Sequence, residues 1–360
     1  MTADPINKKE NLFPSYFGSN DSLLSLLNKT SQIICQWFSD AEHLGPLPID
    51  INFKCSVPDE FGSSSDVLFS EIENLIYSSF NPVHPGSLAH LDPPPLIISI
   101  LGDLVAAGLN NNLLASELSP SISLLEETIC KWFSNKLGFN DSAGGIAASG
   151  GTLSNLNALV AARNSCGLES DPNAVFLVSE DAHSSFIKCS RIMGLCKNNL
   201  IKVKTDKNGS MDIFDLKINI DKCSREDKRI FCIVATLGTT IRGAIDPIEK
   251  ISGICKEKNI WLHIDGSIGG IFAITKIPIN GIGNVNLANS ITINPQKILG
   301  ITKTSSLLLV SDIDVLKSTF STGLPYVSSE RNVLNRGELG IQGSRPAEII
   351  KLWLGLRFLG

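Results

Sequence analysis

Four short segments carry residue types that could act on one substrate. Ser149-Gly150-Gly151-Thr152 stands directly before a helical stretch, Leu153–Asn164. Two glycines let the backbone approach an anion closely. The helix N-terminus adds free N–H groups and a positive dipole end, which suits phosphate. The same residues also read as a tight turn with Ser or Thr as N-cap. No Gly-Lys-Ser/Thr follows, so this is not a Walker loop. Trp261-Leu-His263-Ile-Asp265-Gly266 ends an apolar run with an acid. A carboxylate there is costly unless it meets a cation, such as a protonated ring nitrogen whose charge it would hold. Plainer readings are an acid capping the next turn, or a metal-ligand pair with His263 on the same strand face, for which no third ligand lies nearby in sequence. Ser290-Ile-Thr-Ile-Asn294-Pro295-Gln296-Lys297 ends another run and turns at the proline. A lysine desolvated behind a buried strand becomes a usable amine nucleophile. An ordinary loop lysine is the alternative. His183 follows the run Ala174–Ser179 and offers a flat ring for stacking, or only a structural role.

These segments need a scaffold, and the chain's texture supplies one. From residue 145 onward, short apolar runs alternate with helical stretches. Ala174–Ser179, Ile201–Lys204, Ile230–Thr236, Ile260–Ile264, Ser290–Ile293 and Ser306–Val310 read as buried strands. Helices such as Pro247–Lys258 lie between them. This alternation predicts an α/β fold with a mainly parallel central sheet flanked by helices. Sites in such sheets lie at the carboxyl ends of strands, where the candidate residues fall. Before this region, amphipathic patterning predicts a helical N-terminal segment over residues 1–80. Ser119-Pro120 starts a helix that Gly138 stops.

Composition narrows the partners. The net charge is −5, with 43% hydrophobic and 19% charged residues, so the chain can bury a large core. It lacks the basic field that nucleic acid or anionic membrane requires, and no run is long enough to span a bilayer. Nine cysteines without a C-x-x-C pair fit a reducing compartment. With no apolar leader in Met1–Glu10, the expected location is the cytoplasm.

A phosphate cradle, a strand-end histidine, a Thr-rich strand end, a strand-end aspartate and a lysine following in that order form the set that a Schiff-base pyridoxal 5'-phosphate site needs. The sequence resembles the group II pyridoxal-phosphate-dependent amino-acid decarboxylases, which include glutamate, aromatic amino-acid and 2,4-diaminobutyrate decarboxylases. His84-Pro85, Ser149-Gly-Gly-Thr152, Asp181-Ala-His183-Ser-Ser185, Thr236-Leu-Gly-Thr-Thr240 with Gly243-Ala-Ile-Asp246-Pro247, His263-Ile-Asp265, Asn294-Pro-Gln-Lys297 and Gly343-Ser-Arg345 carry the likeness. The resemblance implies an aspartate-aminotransferase-type (fold type I) large domain over residues 81–360. It implies that residues 1–80 serve dimerisation and that the protein is a homodimer. It also implies that Lys297 holds the cofactor as a Schiff base, that Asp265 pairs with the pyridine nitrogen and that His183 stacks on the ring. Gly150, Gly151, Thr152 and Asn294 would contact the phosphate, and Thr240 would line the ring site. The implied reaction converts an L-amino acid to its amine and carbon dioxide. No metal is expected.

Several positions depart from the family's pattern. Gln296 stands where many members have histidine before the lysine, and it can hydrogen-bond a substrate but cannot act as an acid near neutrality. Glu330 to Gly340 holds no tyrosine, where members carry one thought to protonate Cα; Tyr326 is the nearest. Gly266-Ser267 replaces a usual Ala-Ala. The sequence stops at Gly360, so the family's C-terminal small domain is expected to be absent. His90 and Asp92 are candidates to meet a polar or cationic substrate side chain, or simply to hold a loop. Competing readings are oxidative aldehyde formation, aldolase-type lysis, and a truncated non-catalytic protein of the same fold.

Overall fold

Ala174–Ser179 is buried at every position, which suits a strand covered on both faces. A computed structural model of the chain describes residues 13–15, 18–48, 57–58, 60–88, 90–275, 279, 281–323 and 334–360. Its contacts divide the chain into two units, Met1–Pro94 and Pro95–Gly360. This division falls later in the chain than the 80/81 boundary expected from the sequence.

The first unit holds helices α1 (Asp21–Ser39), α2 (Ala41–Leu44) and α3 (Ser65–Tyr77). The Tyr77 hydroxyl donates to the Asp40 carboxylate at 2.9 Å, and Asn81 donates to the Trp37 carbonyl at 3.3 Å, tying the segment after α3 to α1.

The second unit begins with α4 (Ile97–Leu109) and α5 (Pro120–Lys136). A seven-stranded sheet follows, made of β1 (Gly144–Ala148), β2 (Ala174–Ser179), β3 (Leu200–Val203), β4 (Arg229–Thr236), β5 (Trp261–Gly266), β6 (Ser290–Ile293) and β7 (Ser306–Val310). Between and after the strands lie α6 (Gly151–Ser165), α7 (Ser185–Ile192), α8 (Ile213–Arg225), α9 (Ile248–Lys258), α10 (Pro295–Ile298), α11 (Asp314–Phe320) and α12 (Ile349–Leu359). The strand order is β1-β7-β6-β5-β4-β2-β3. Strands β3, β2, β4, β5 and β6 pair in parallel, and β7 runs antiparallel to both β6 and β1. The expected α/β class and mainly parallel sheet are therefore present. The strand expected at Ile260–Ile264 starts at Trp261 and continues to Gly266, which puts Asp265 inside the sheet. β1 carries no strand signal of its own, because Gly-Gly-Ile-Ala-Ala is poor in β-branched and aromatic residues.

Strand periodicity sorts the core into layers. Val175, Leu177, Ile233, Ala235, Leu262 and Ile264 face one way, with Ile129 and Phe133 of α5, Leu216 of α8, Ile251 of α9 and Leu352 of α12. Phe176, Val178, Cys232 and Val234 face the other way, with Leu156 and Leu159 of α6 and Phe186 of α7. A buried ionic knot locks the β1 edge. Glu126 of α5 accepts from Arg336 at 3.1 Å and from Arg345 at 3.0 Å through both oxygens. The same guanidiniums donate to the Gly145 and Ala147 carbonyls of β1 at 2.8 and 2.9 Å. Burial alone would raise the Glu126 carboxyl, but Arg345 and Arg336 outweigh it and leave it lowered. Among the described residues no helix is long and apolar enough to cross a membrane.

Candidate active site

The carboxyl ends of β1, β2, β4, β5 and β6 surround one cavity of about 280 Å³. Its lining includes Gly150, Gly151, Thr152, His183, Thr240, Asp265, Asn294, Gln296 and Lys297. Every candidate catalytic and cofactor-binding residue read from the sequence is thus brought together. All of them lie in the second unit. His90, exposed and with φ 65°, and Asp92 belong to the first unit and are described with it. Tyr326 lies outside the described residues.

One wall is the start of α6. Gly150 takes φ 122°, a region L side chains rarely adopt, and it begins the helix with no side-chain cap. The Leu153 N–H turns back to the Gly150 carbonyl at 3.1 Å, and the N–H groups of Gly151 and Thr152, at the helix start, are the ones placed to meet an anion. At Gly151 a Cβ would come within 2.6 Å of Asn294 Nδ2 and 2.9 Å of Ser267 Oγ, so only glycine keeps this cradle open. Asn294 is fixed in turn: its Oδ1 accepts from Ser306 Oγ at 2.6 Å.

The floor is a row of polar residues set by strand register. Thr236 pairs with Asp265, and Asp265 with Thr292. Asp265 is buried and its carboxylate accepts three hydrogen bonds. Ser267 gives its hydroxyl at 2.6 Å and its N–H at 3.2 Å, and Asn155 gives its amide at 3.2 Å. The Thr236 hydroxyl, buried beside it, has no hydrogen-bond partner among the described residues. The loop beyond Thr236 is tied down by Asp246, which accepts from the N–H of Thr236 at 2.7 Å and of Met211 at 2.6 Å. Burial pushes the Asp246 carboxyl up to about 6.

His183 and Lys297 complete the walls. His183 Nδ1 accepts from the Ser185 N–H at 3.2 Å, which fixes the ring in the cavity wall. Lys297 lies on α10, which starts with proline at its first turn, and it is half-buried. Gln296 also lines the cavity, but its Oε1 accepts from the Ser305 N–H at 2.6 Å. Its amide N–H2 is what it can offer a substrate. The metal-pair reading of His263 and Asp265 fails on hydrogen bonding, because both His263 ring nitrogens are engaged by Ser290 and Asn155. Asn155 and Thr236 escaped the sequence reading as individual site residues. Asn155 lies one helical turn beyond Gly151, and that i+4 spacing was the available signal.

The chemistry of this donor set fits pyridoxal phosphate. An uncapped helix start faces the same cavity as an amine, a flat imidazole and a buried carboxylate whose remaining direction is into the cavity. Comparison with known proteins agrees. A family model described as the pyridoxal-dependent decarboxylase conserved domain matches residues 52–360. Aromatic-L-amino-acid decarboxylase of Bacillus atrophaeus is 30% identical over 310 residues, covering 85% of this chain and 64% of the relative. Acidic amino acid decarboxylase GADL1 of Xenopus tropicalis is 30% identical over 343 residues, covering 92% of this chain and 65% of the relative. The chain thus spans just under two thirds of the length of these curated relatives. Among solved structures, Oryza sativa TDC with PLP and tryptamine superposes with TM-score 0.88 at 21% identity, over 95% of this chain and 75% of that one. At that identity the likeness speaks to the fold.

Proposed function

The chain belongs to the pyridoxal-dependent decarboxylase family, and from that premise we propose that it carries the site for decarboxylation of an L-amino acid to its amine and carbon dioxide. The observation that carries this reading is the convergence of Lys297, Asp265, His183 and the start of α6 on one cavity. When bound, pyridoxal phosphate supplies an electron sink for the pair released as the Cα–carboxylate bond breaks. The chain's own residues do the rest. Lys297 Nζ would hold the cofactor covalently. Asp265, fixed by Ser267 and Asn155, presents a negative charge that keeps the pyridine nitrogen protonated. His183 would stack on the ring. Gly150, Gly151, Thr152 and Asn294 hold the phosphate, and Thr240 lines the ring site. Gln296 offers its amide to the substrate.

The family resemblance also supports a homodimer. Leu101, Leu104, Val105 and Leu109 along α4 present an exposed apolar stripe of the kind a partner covers. A reducing cytoplasm suits the free thiols at Cys35, Cys166 and Cys196, which are exposed.

The test is absorbance of the purified chain with pyridoxal phosphate beside Lys297→Ala. The expected result is a yellow band in the wild type that borohydride reduces to a covalent adduct on Lys297, followed by carbon dioxide release from one or more amino acids. An equal band in both proteins, or none in either, would overturn the assignment of Lys297.

A further inference from the structure

Behind Asp265 runs a chain of buried groups whose hydrogen bonds admit one direction only. Asn155 bridges Asp265 and His263. Its Nδ2 stands 3.2 Å from Asp265 Oδ2 and 3.3 Å from Ser185 Oγ, and its Oδ1 stands 3.1 Å from His263 Nε2. A carboxylate accepts and cannot donate, so the amide must turn its N–H2 toward Asp265. Its carbonyl then faces His263, and Nε2 must carry the proton. His263 Nδ1 is therefore bare and accepts from Ser290 Oγ, 2.8 Å away. Ser290, having given its proton, accepts from Trp261 Nε1 at 2.9 Å. The order is Trp261 to Ser290 to His263 to Asn155 to Asp265, with each donor matched to an acceptor. Strand register builds it, because His263 pairs with Ser290 across β5 and β6 and sits two residues before Asp265 on the same face. Trp261, His263, Ser290 and Asn155 are all buried, so water cannot replace a missing link.

We propose that His263 is a positioning residue that, as its neutral Nε2–H tautomer and acting through Asn155, fixes the Asp265 carboxylate toward the cofactor's pyridine nitrogen. This rests on the reading that Asp265 meets that nitrogen. His263 touches neither cofactor nor substrate. Its part is to keep Asn155 from turning, since a rotated amide would set its oxygen against the carboxylate. Burial favours the neutral ring and outweighs the opposing pull of the adjacent Asp265 and of the Ser290 backbone.

The test compares His263→Phe, which removes both ring contacts, with His263→Gln, which restores a donor toward Asn155. Readouts are the dissociation constant for pyridoxal phosphate, the pH dependence of the bound cofactor's absorbance, and Tm. The Phe variant is expected to bind cofactor roughly ten- to a hundredfold more weakly, the range for losing a hydrogen bond to a charged group. Its absorbance titration should shift, and the Gln variant should recover most of both. Wild-type affinity and titration in the Phe variant, with only Tm lowered, would overturn the proposal, as would Gln and Phe variants equally impaired. Independently of any variant's folding, nitrogen-15 NMR of the cofactor-free wild type should show a neutral Nε2–H ring between pH 6 and 8. An Nδ1–H or charged ring would overturn the proposal. Asp265→Asn separates the two readings. If it too binds and titrates as wild type, the role of Asp265 itself fails. If it is impaired while His263→Phe is not, only the relay fails.

Discussion

A carboxylate set two hydrogen bonds deep in the interior makes a measurable pH signature, and Asp246 provides one. Its folded-state value stands near 6, above that of an unfolded aspartate, because burial disfavours the charge. The protonated form is therefore the better folded partner. The stability this contributes is complete below the unfolded value near pH 4 and is lost as pH rises through 6. Asp246→Asn removes that titration and turns one amide N–H2 toward a backbone N–H. The variant is expected to be less stable than wild type at pH 5 by roughly 2–3 kcal/mol, with the gap narrowing by pH 7.5. Denaturant unfolding at the two pH values checks this. A gap that widens with pH would refute the assignment. The loop that Asp246 holds begins at Thr236, so cofactor affinity should weaken with it.

Elements place the site, and the sequence revealed them unevenly. The strands that carry Asp265 or lead to Asn294 and His183 were legible because their largely apolar runs are what a doubly covered parallel strand requires. Lys297, Asp265 and His183 could be named because each follows or ends such a run. β1 was not legible: its stability comes from pairing with β7 and from side chains far away in sequence, not from its own residues. Asn155 was hidden for a similar reason. Its role depends on α6 lying over β5, which is tertiary information. The Arg345 of the Gly343-Ser-Arg345 segment carried the family likeness but no visible purpose until it met Glu126 and the β1 carbonyls. Glu126→Gln would leave two buried guanidiniums without their counter-charge. Loss of about 3–5 kcal/mol is expected, read by thermal or denaturant unfolding. A loss under 1 kcal/mol would mean that the knot is not what holds the β1 edge.

At the scale of the whole molecule, the two units do different work. The cavity is built from the second unit alone, and its two key loops hang from the same strand. β7 is paired on one side with β6, after which Asn294 and Lys297 follow, and on the other with β1, after which the Gly150–Gly151 cradle follows. Residues 144–148 must wait for residues 306–310 before they have any neighbour in the sheet. Closing so long a loop is slow, because its entropy is lost before the pairing repays it. The consequence is one of timing. A chain emerging during synthesis makes its β2–β3–β4–β5 layers first and stays blind to the cofactor until β7 arrives. Capture of pyridoxal phosphate should therefore coincide with the slowest refolding phase in stopped-flow absorbance, lagging the recovery of helical circular dichroism. Capture in the burst phase would show that the site assembles without its last strand.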